Sequence, residues 1–129
     1  MTNYAKLTSK KEKELVKGAL RRVFSRSELR RQVIETALIQ HYDSMRPRVT
    51  AWCLCSECKQ PSAKYQTEVD HIDPVQKLGE TLEELDLNTL GDRLWCDISN
   101  LRAICKPCHK KKTKAEMAER RRIKKETIK

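Results

Sequence analysis

Four cysteines stand in two Cys-x-x-Cys pairs, Cys55/Cys58 and Cys105/Cys108, with 46 residues between the pairs. Each pair sets two sulfurs on one side of a tight turn, and two such turns facing each other make the tetrahedral four-sulfur site that suits zinc. A shell closed by four thiolates leaves no open position, so this metal would hold structure and do no chemistry. Cys53 and Cys96 are left over; each lies beside a tryptophan (Trp52, Trp95) and reads as a buried hydrophobe. A second set of reactive groups is in "TEVDHIDP", residues 67–74, where Asp70 and His71 sit side by side between Val69 and Ile72. Neighbouring polar side chains in an apolar run are costly to bury unless paired. An imidazole with an ordinary pKa of about 6.5 can take a proton from water at neutral pH. His109, directly after Cys108, offers a second imidazole, whereas His41 reads as a surface group at a helix end.

These residues must be held by the elements around them. Leu15, Val16, Ala19, Leu20, Val23 and Phe24 form one stripe at helical spacing over 9–24, with a lysine- and arginine-rich back. Ser25 with Glu28 fits the capping box of a second helix, whose stripe is Leu29, Val33, Ile34, Ala37 and Leu38 and which ends near His41 and Tyr42. Pro47 closes this arm. Two such helices pack on each other and on the domain, and their basic backs are a secondary candidate for nucleic-acid contact. From Val49 onward β-branched, aromatic and turn residues predict a knuckle and then a strand over 66–72. Residues 79–96 predict a helix opened by Thr81 with Glu84 and stopped near Gly91. "DISNLRAIC" reads as a second strand. Pro107 then suits the first turn of a basic helix that runs to the end of the chain. The expected organisation is a basic helical arm, 1–48, and a zinc-bound domain, 49–129.

Length and charge narrow the function. A chain of 129 residues with 38% hydrophobic and 5% aromatic content has a thin core, so a metal cross-link is expected to help it. Lys and Arg outnumber Asp and Glu by 12 to 5 in residues 1–50 and by 12 to 3 in 101–129, but are outnumbered 10 to 4 in 51–100. A basic–acidic–basic pattern of +7, −6 and +9 suits cationic arms for phosphate around carboxylates that hold a metal, and points to nucleic acid as partner. No stretch reaches transmembrane length and no signal-peptide core is present, so a reducing cytoplasm is expected and disulfides are not.

"VDHIDP…SNLRAICKPCHKKKT" resembles the HNH (ββα-metal, His-Me finger) endonucleases, and most closely the small zinc-knuckle HNH proteins of bacteriophages. The resemblance covers residues 53–114, with His71, Asn100 and His109 as the motif residues, and 28 acidic-rich residues separate His71 from Asn100. It implies an α+β fold: a ββα-metal core with a four-cysteine zinc knuckle, preceded by the basic N-terminal arm and followed by the basic C-terminal helix. It implies a metal-dependent DNA endonuclease that leaves 5′-phosphate and 3′-hydroxyl ends, in the host cytoplasm if phage-encoded. His71 would be the general base, and Asp70 with His109 would hold Mg²⁺, Mn²⁺ or another divalent ion at the scissile phosphate. Asn100 would fix the loop or hold the His71 ring from behind, and Glu68, on the same strand face as Asp70, is a further candidate for the metal shell. Lys110, Lys111, Lys112 and Lys114 would line the phosphate path, with Arg102 and with Arg21, Arg22, Arg30 and Arg31 of the arm; Arg120–Arg122 read as a solvated tail. Genome packaging beside a terminase or other packaging protein, host-DNA attack and homing all fit. A zinc-bearing DNA-binding or packaging adaptor without cleavage is the main rival, and an RNA-directed nuclease or junction resolvase is a third.

Overall fold

In the computed structural model, which describes residues 9–80 and 86–128, helix α1 (Lys10–Phe24) starts at Ser9, whose hydroxyl accepts from the Glu12 N–H at 3.1 Å. Helix α2 (Glu28–Ala37) is capped by Ser27, which accepts from the Arg30 N–H. The predicted capping serine, Ser25, instead closes α1, its hydroxyl donating to the Arg22 carbonyl. Helix α2 also ends earlier than its apolar stripe suggests. Leu38 and Ile39 leave the helix as strand β1 (Leu38–Ile39) and pair with Cys53 and Trp52 of β2 (Trp52–Leu54). The hydrogen bonds offered by β2 outweigh a helical preference that one more turn would satisfy only locally.

Strand β3 (Pro61–Ala63) completes a three-stranded antiparallel sheet in the order β1-β2-β3. A 3₁₀ turn (Lys64–Gln66) leads into β4 (Thr67–His71), which pairs antiparallel with β5 (Leu101–Cys105) in a second sheet. Helix α3 (Leu87–Leu94) lies between them in sequence and is capped by Asp86, which accepts from the Thr89 N–H at 2.7 Å. It passes through Gly91 without stopping; the predicted start at Thr81 and Glu84 lies outside the described residues. The second strand starts at Leu101, because Asp97 accepts from the Ser99 N–H and folds Ile98–Asn100 into a 3₁₀ turn. Helix α4 (Lys106–Ile128) follows β5 directly, with Pro107 in its first turn.

The result is mixed α+β, with four helices and two small antiparallel sheets among the described residues. Sheet β4-β5 is covered by α2 on one side and α4 on the other. Val69, Leu101 and Ala103 face the core, where they meet Phe24, Val33, Ile34, Leu90 and Leu94. Glu68 and Asp70, one step out of phase, face α4. The apolar stripes of residues 1–48 therefore complete a core shared with residues 49–129. Each such fully buried side chain contributes about 1.5–3 kcal/mol. A chain lacking residues 1–48 is accordingly expected to lose its cooperative fold, read as loss of the thermal transition by circular dichroism.

Candidate functional site

The knuckle is built where β2 turns back into β3. The Cys55 N–H donates to the Gln60 carbonyl and the Lys59 N–H to the Cys55 carbonyl, closing a turn that carries Cys55 and Cys58. Cys105 ends β5 and Cys108 lies in the first turn of α4. The four sulfurs lie within 4.8 Å of one another, with Cys58 Sγ 3.9 Å from Cys105 Sγ. Two thiolates on one tetrahedral zinc, at about 2.3 Å each, stand about 3.8 Å apart, so the set fits such an ion. Burial opposes ionisation of Cys55, but the N–H groups of Cys105, Cys58 and Glu57 outweigh it and bring its thiol down to about 6. Cys108 is pushed up to about 12, first by its hydrogen bond with Cys105 and then by burial and the other two sulfurs. Among the described residues these four cysteines are the only group of three or more metal-ligating side chains that close together, and they can hold a metal such as zinc. Cys53 is fully buried outside the cluster, and Cys96 packs against the core.

On the other side of β5 lies a cleft of about 640 Å³ between α1, β4 and α4, lined among others by Asp70, His71, His109 and Lys112. Asp70 is 5% exposed and its charge is matched: Arg102 Nε donates to Oδ2 at 3.1 Å and Lys112 Nζ to Oδ1 at 2.9 Å. Arg102 stands directly opposite Asp70 across the β4-β5 ladder and also reaches Glu57, so it positions the carboxylate. Lys112 donates as well to the His71 carbonyl at 2.6 Å. His109 Nδ1 is 2.6 Å from Glu68 Oε2, and its Nε2 is 3.8 Å from Asp70 Oδ1. Both contacts are charge-pair distances: the imidazole lies between the two carboxylates. A carboxylate next to one ring nitrogen is a common companion of a metal-ligating histidine. Ligands at right angles on an octahedral ion of about 2.1 Å bonds stand about 3 Å apart, closer than Asp70 and His109 stand here.

His71 ends β4 facing away from α4. Its ring packs against Phe24, with centroids 5.0 Å apart, and its Nε2 lies 2.9 Å from the Leu94 carbonyl. A carbonyl only accepts, so the proton sits on Nε2 and Nδ1 keeps its lone pair. Burial lowers the pKa of His71, as do the charges of Arg21 and Lys112, against the raising effects of the Leu94 carbonyl and Asp70. The net effect lowers its pKa and favours the uncharged ring. Asn100 makes no hydrogen bond to this ring. Its Oδ1 accepts from the Asp73 N–H at 2.8 Å and its Nδ2 donates to the Asp73 carbonyl at 3.3 Å, while the Ile72 N–H donates to the Asn100 carbonyl at 2.8 Å. Asn100 staples the loop after His71, and Leu94 orients the ring.

The cationic candidates divide. Arg21 and Arg30 line the cleft, as does Lys112. Arg22 lies by Trp95 and Val23 in a separate depression, and Arg31 is held on the outer face of α2 by Glu28 and Glu35. Lys110, Lys111 and Lys114 are exposed on other faces of α4 and do not line the cleft. The Leu94 carbonyl left no trace in the sequence, because it is backbone. Arg120 did: Lys112, Glu116 and Arg120 recur every four residues and share one helix face, and all three line the cleft. No described helix is long and apolar enough to cross a membrane. Compared with protein-family models, with curated proteins and with solved structures, the chain matches none.

Proposed function

We propose that the protein is a zinc-stabilised, metal-dependent endonuclease of the HNH kind acting on DNA. The observation that carries this reading is the convergence of three groups in one cationic cleft. His71 Nε2 lies at hydrogen-bond distance from the Leu94 carbonyl, and His109 lies between Glu68 and Asp70. On this reading β4, β5 and the start of α4 form the ββα core. A divalent ion held by Asp70 and His109 would neutralise charge on the scissile phosphate and stabilise the departing oxygen. His71 Nδ1 takes the proton of the attacking water. Asn100 keeps the 72–73 backbone in place, so that the ring stays at the cleft wall. Lys112 neutralises Asp70 and stands ready to meet a phosphate oxygen.

Incubating the chain with plasmid in Mg²⁺, in Mn²⁺ and without added divalent ion tests the proposal, with nicking or linearisation only in the metal lanes as the expected result. Asp70→Asn and His109→Ala are expected to slow that cleavage by about 10²-fold or more, the scale on which charge stabilisation at a transition state is lost. One zinc per chain should remain bound in both. If either variant loses the zinc and the wild type still cuts, the division into structural and hard-ion sites is wrong. The rival, a zinc-bearing DNA-binding or packaging adaptor without cleavage, is favoured by one observation: Asp70 is already satisfied by Arg102 and Lys112. Binding of duplex with no cleavage in any metal lane would select it.

A further inference from the structure

Arg31, Arg46, Arg93, Arg102 and Arg122 each hold a carboxylate. Among the described residues four cations that line the cleft do not: Arg30 on α2, and a cluster of three. Lys17 and Arg21 lie one turn apart on α1, Arg120 faces them from α4, and all three line the cleft that contains His71. Lys17 Nζ donates to Gln76 Oε1 and Arg120 to the Gln76 carbonyl, both at 2.6 Å and both neutral acceptors. Among the described residues the Arg21 side chain makes no hydrogen bond and no ion pair within 4 Å; Glu14 acts on Lys17, and Glu116 on Arg21, only through their charge. Desolvation in the cleft, followed by the charges of its cationic neighbours, holds Lys17 below the ordinary lysine range and Arg21 below the ordinary arginine range. Like charges gathered at a cleft wall against neutral partners cost stability, and an anion entering between them relieves that cost. Two forked guanidiniums with an ammonium match the oxygens of a phosphodiester.

We propose that Lys17, Arg21 and Arg120 form a binding subsite for a backbone phosphate of duplex DNA, next to the phosphate that would face His71. The subsite deepens the nuclease reading and rests on DNA being the partner. It assigns α1 and the middle of α4 to one phosphate clamp, and it gives Gln76 the task of aiming both long side chains into the cleft.

The test is binding of a labelled duplex of about 20 base pairs, followed by fluorescence anisotropy over a range of salt concentrations with no added divalent ion, so that cleavage does not enter. Three proteins are compared: wild type, Arg21→Ala/Arg120→Ala, and Arg122→Ala, whose side chain is held by Glu119 and Glu126 on the exposed side of α4. Each phosphate contact contributes about 0.9 to the slope of log affinity against log salt. The double variant is therefore expected to flatten the slope by about 2 units, and Arg122→Ala to leave it at the wild-type value. Lys17→Gln, a milder change, is expected to flatten it by about 1 unit. Equal slopes for wild type, Lys17→Gln and the double variant overturn the subsite. A second arm measures the melting temperature in inorganic phosphate and in chloride at matched ionic strength. If the double variant keeps the wild-type DNA slope but loses a phosphate-induced rise, the cluster serves free phosphate and the proposal is overturned. Absence of cleavage by the wild type would fall on the nuclease reading alone, since these measurements do not depend on it.

Discussion

His71→Ala is expected to cleave duplex DNA about 10²–10⁴-fold more slowly than the wild type, the usual contribution of a positioned general base. That loss corresponds to about 3–5 kcal/mol in the barrier. The same substitution takes one hydrogen bond from the Leu94 carbonyl and an aromatic neighbour from Phe24. A lost hydrogen bond costs about 1 kcal/mol. The effect on rate is thus several times the effect on folding, and the two separate cleanly when rate, melting temperature and zinc content are measured on one preparation. Zinc should stay at one per chain, because the knuckle lies on the far side of β5, and duplex affinity should change little. Cutting at the wild-type rate by a folded His71→Ala protein would remove His71 from the mechanism. His71→Gln offers a check on positioning: its amide can still donate to Leu94 but cannot accept a proton at neutral pH, so it should be as slow as the alanine variant.

Cys108→Ser is expected to release the metal and unfold the chain. A structural site of this type binds zinc with roughly 10–16 kcal/mol at neutral pH, and that binding energy is folding energy. Whole domains are stable by only about 5–15 kcal/mol. No single apolar side chain in the core of Phe24, Ile34, Leu94 and Leu101 approaches the contribution of the knuckle, since each contributes about 1.5–3 kcal/mol. The knuckle also joins the β2–β3 turn to the junction of β5 and α4, so its loss frees the helix that carries His109 and Lys112. Cys53→Ala is the control: Cys53 is more deeply buried than Cys108 but outside the cluster, so this variant should keep its zinc and its far-ultraviolet dichroism. Zinc analysis with circular dichroism decides the matter. A folded, zinc-free Cys108→Ser protein would end the structural assignment.

Much of this was legible in residue types and their spacing. The two Cys-x-x-Cys pairs could be matched to one metal without coordinates, because a tight turn brings sulfurs three residues apart to the same side whatever surrounds it. The strand ending at Asp70–His71, the first two helices and the last one follow from apolar periodicity and from Ser, Pro and charge signals that act within a few residues. What needed the folded chain was every feature set by long-range pairing. Leu38 and Ile39 became a strand because β2 was there to pair with them, and Ser27 displaced Ser25 as a cap once α1 had to end. Asp70 and His71 point to opposite faces of β4, as alternation demands, and yet line one cleft. They do so because β4 ends at His71, with α4 covering one face and Phe24 and Leu94 the other. The groups that surround these two residues and the loop after them are Leu94, Arg102, Lys112, Glu68 and Asn100. Of these only Glu68 is close to them in sequence, and the Leu94 contribution is a backbone carbonyl with no residue-type signature. The division of the basic residues into a cleft-lining set and a solvent-facing set likewise depends on how α1 and α4 are rotated against the sheets. Local spacing specifies which atoms a turn or a helix face presents; only packing specifies what those atoms meet.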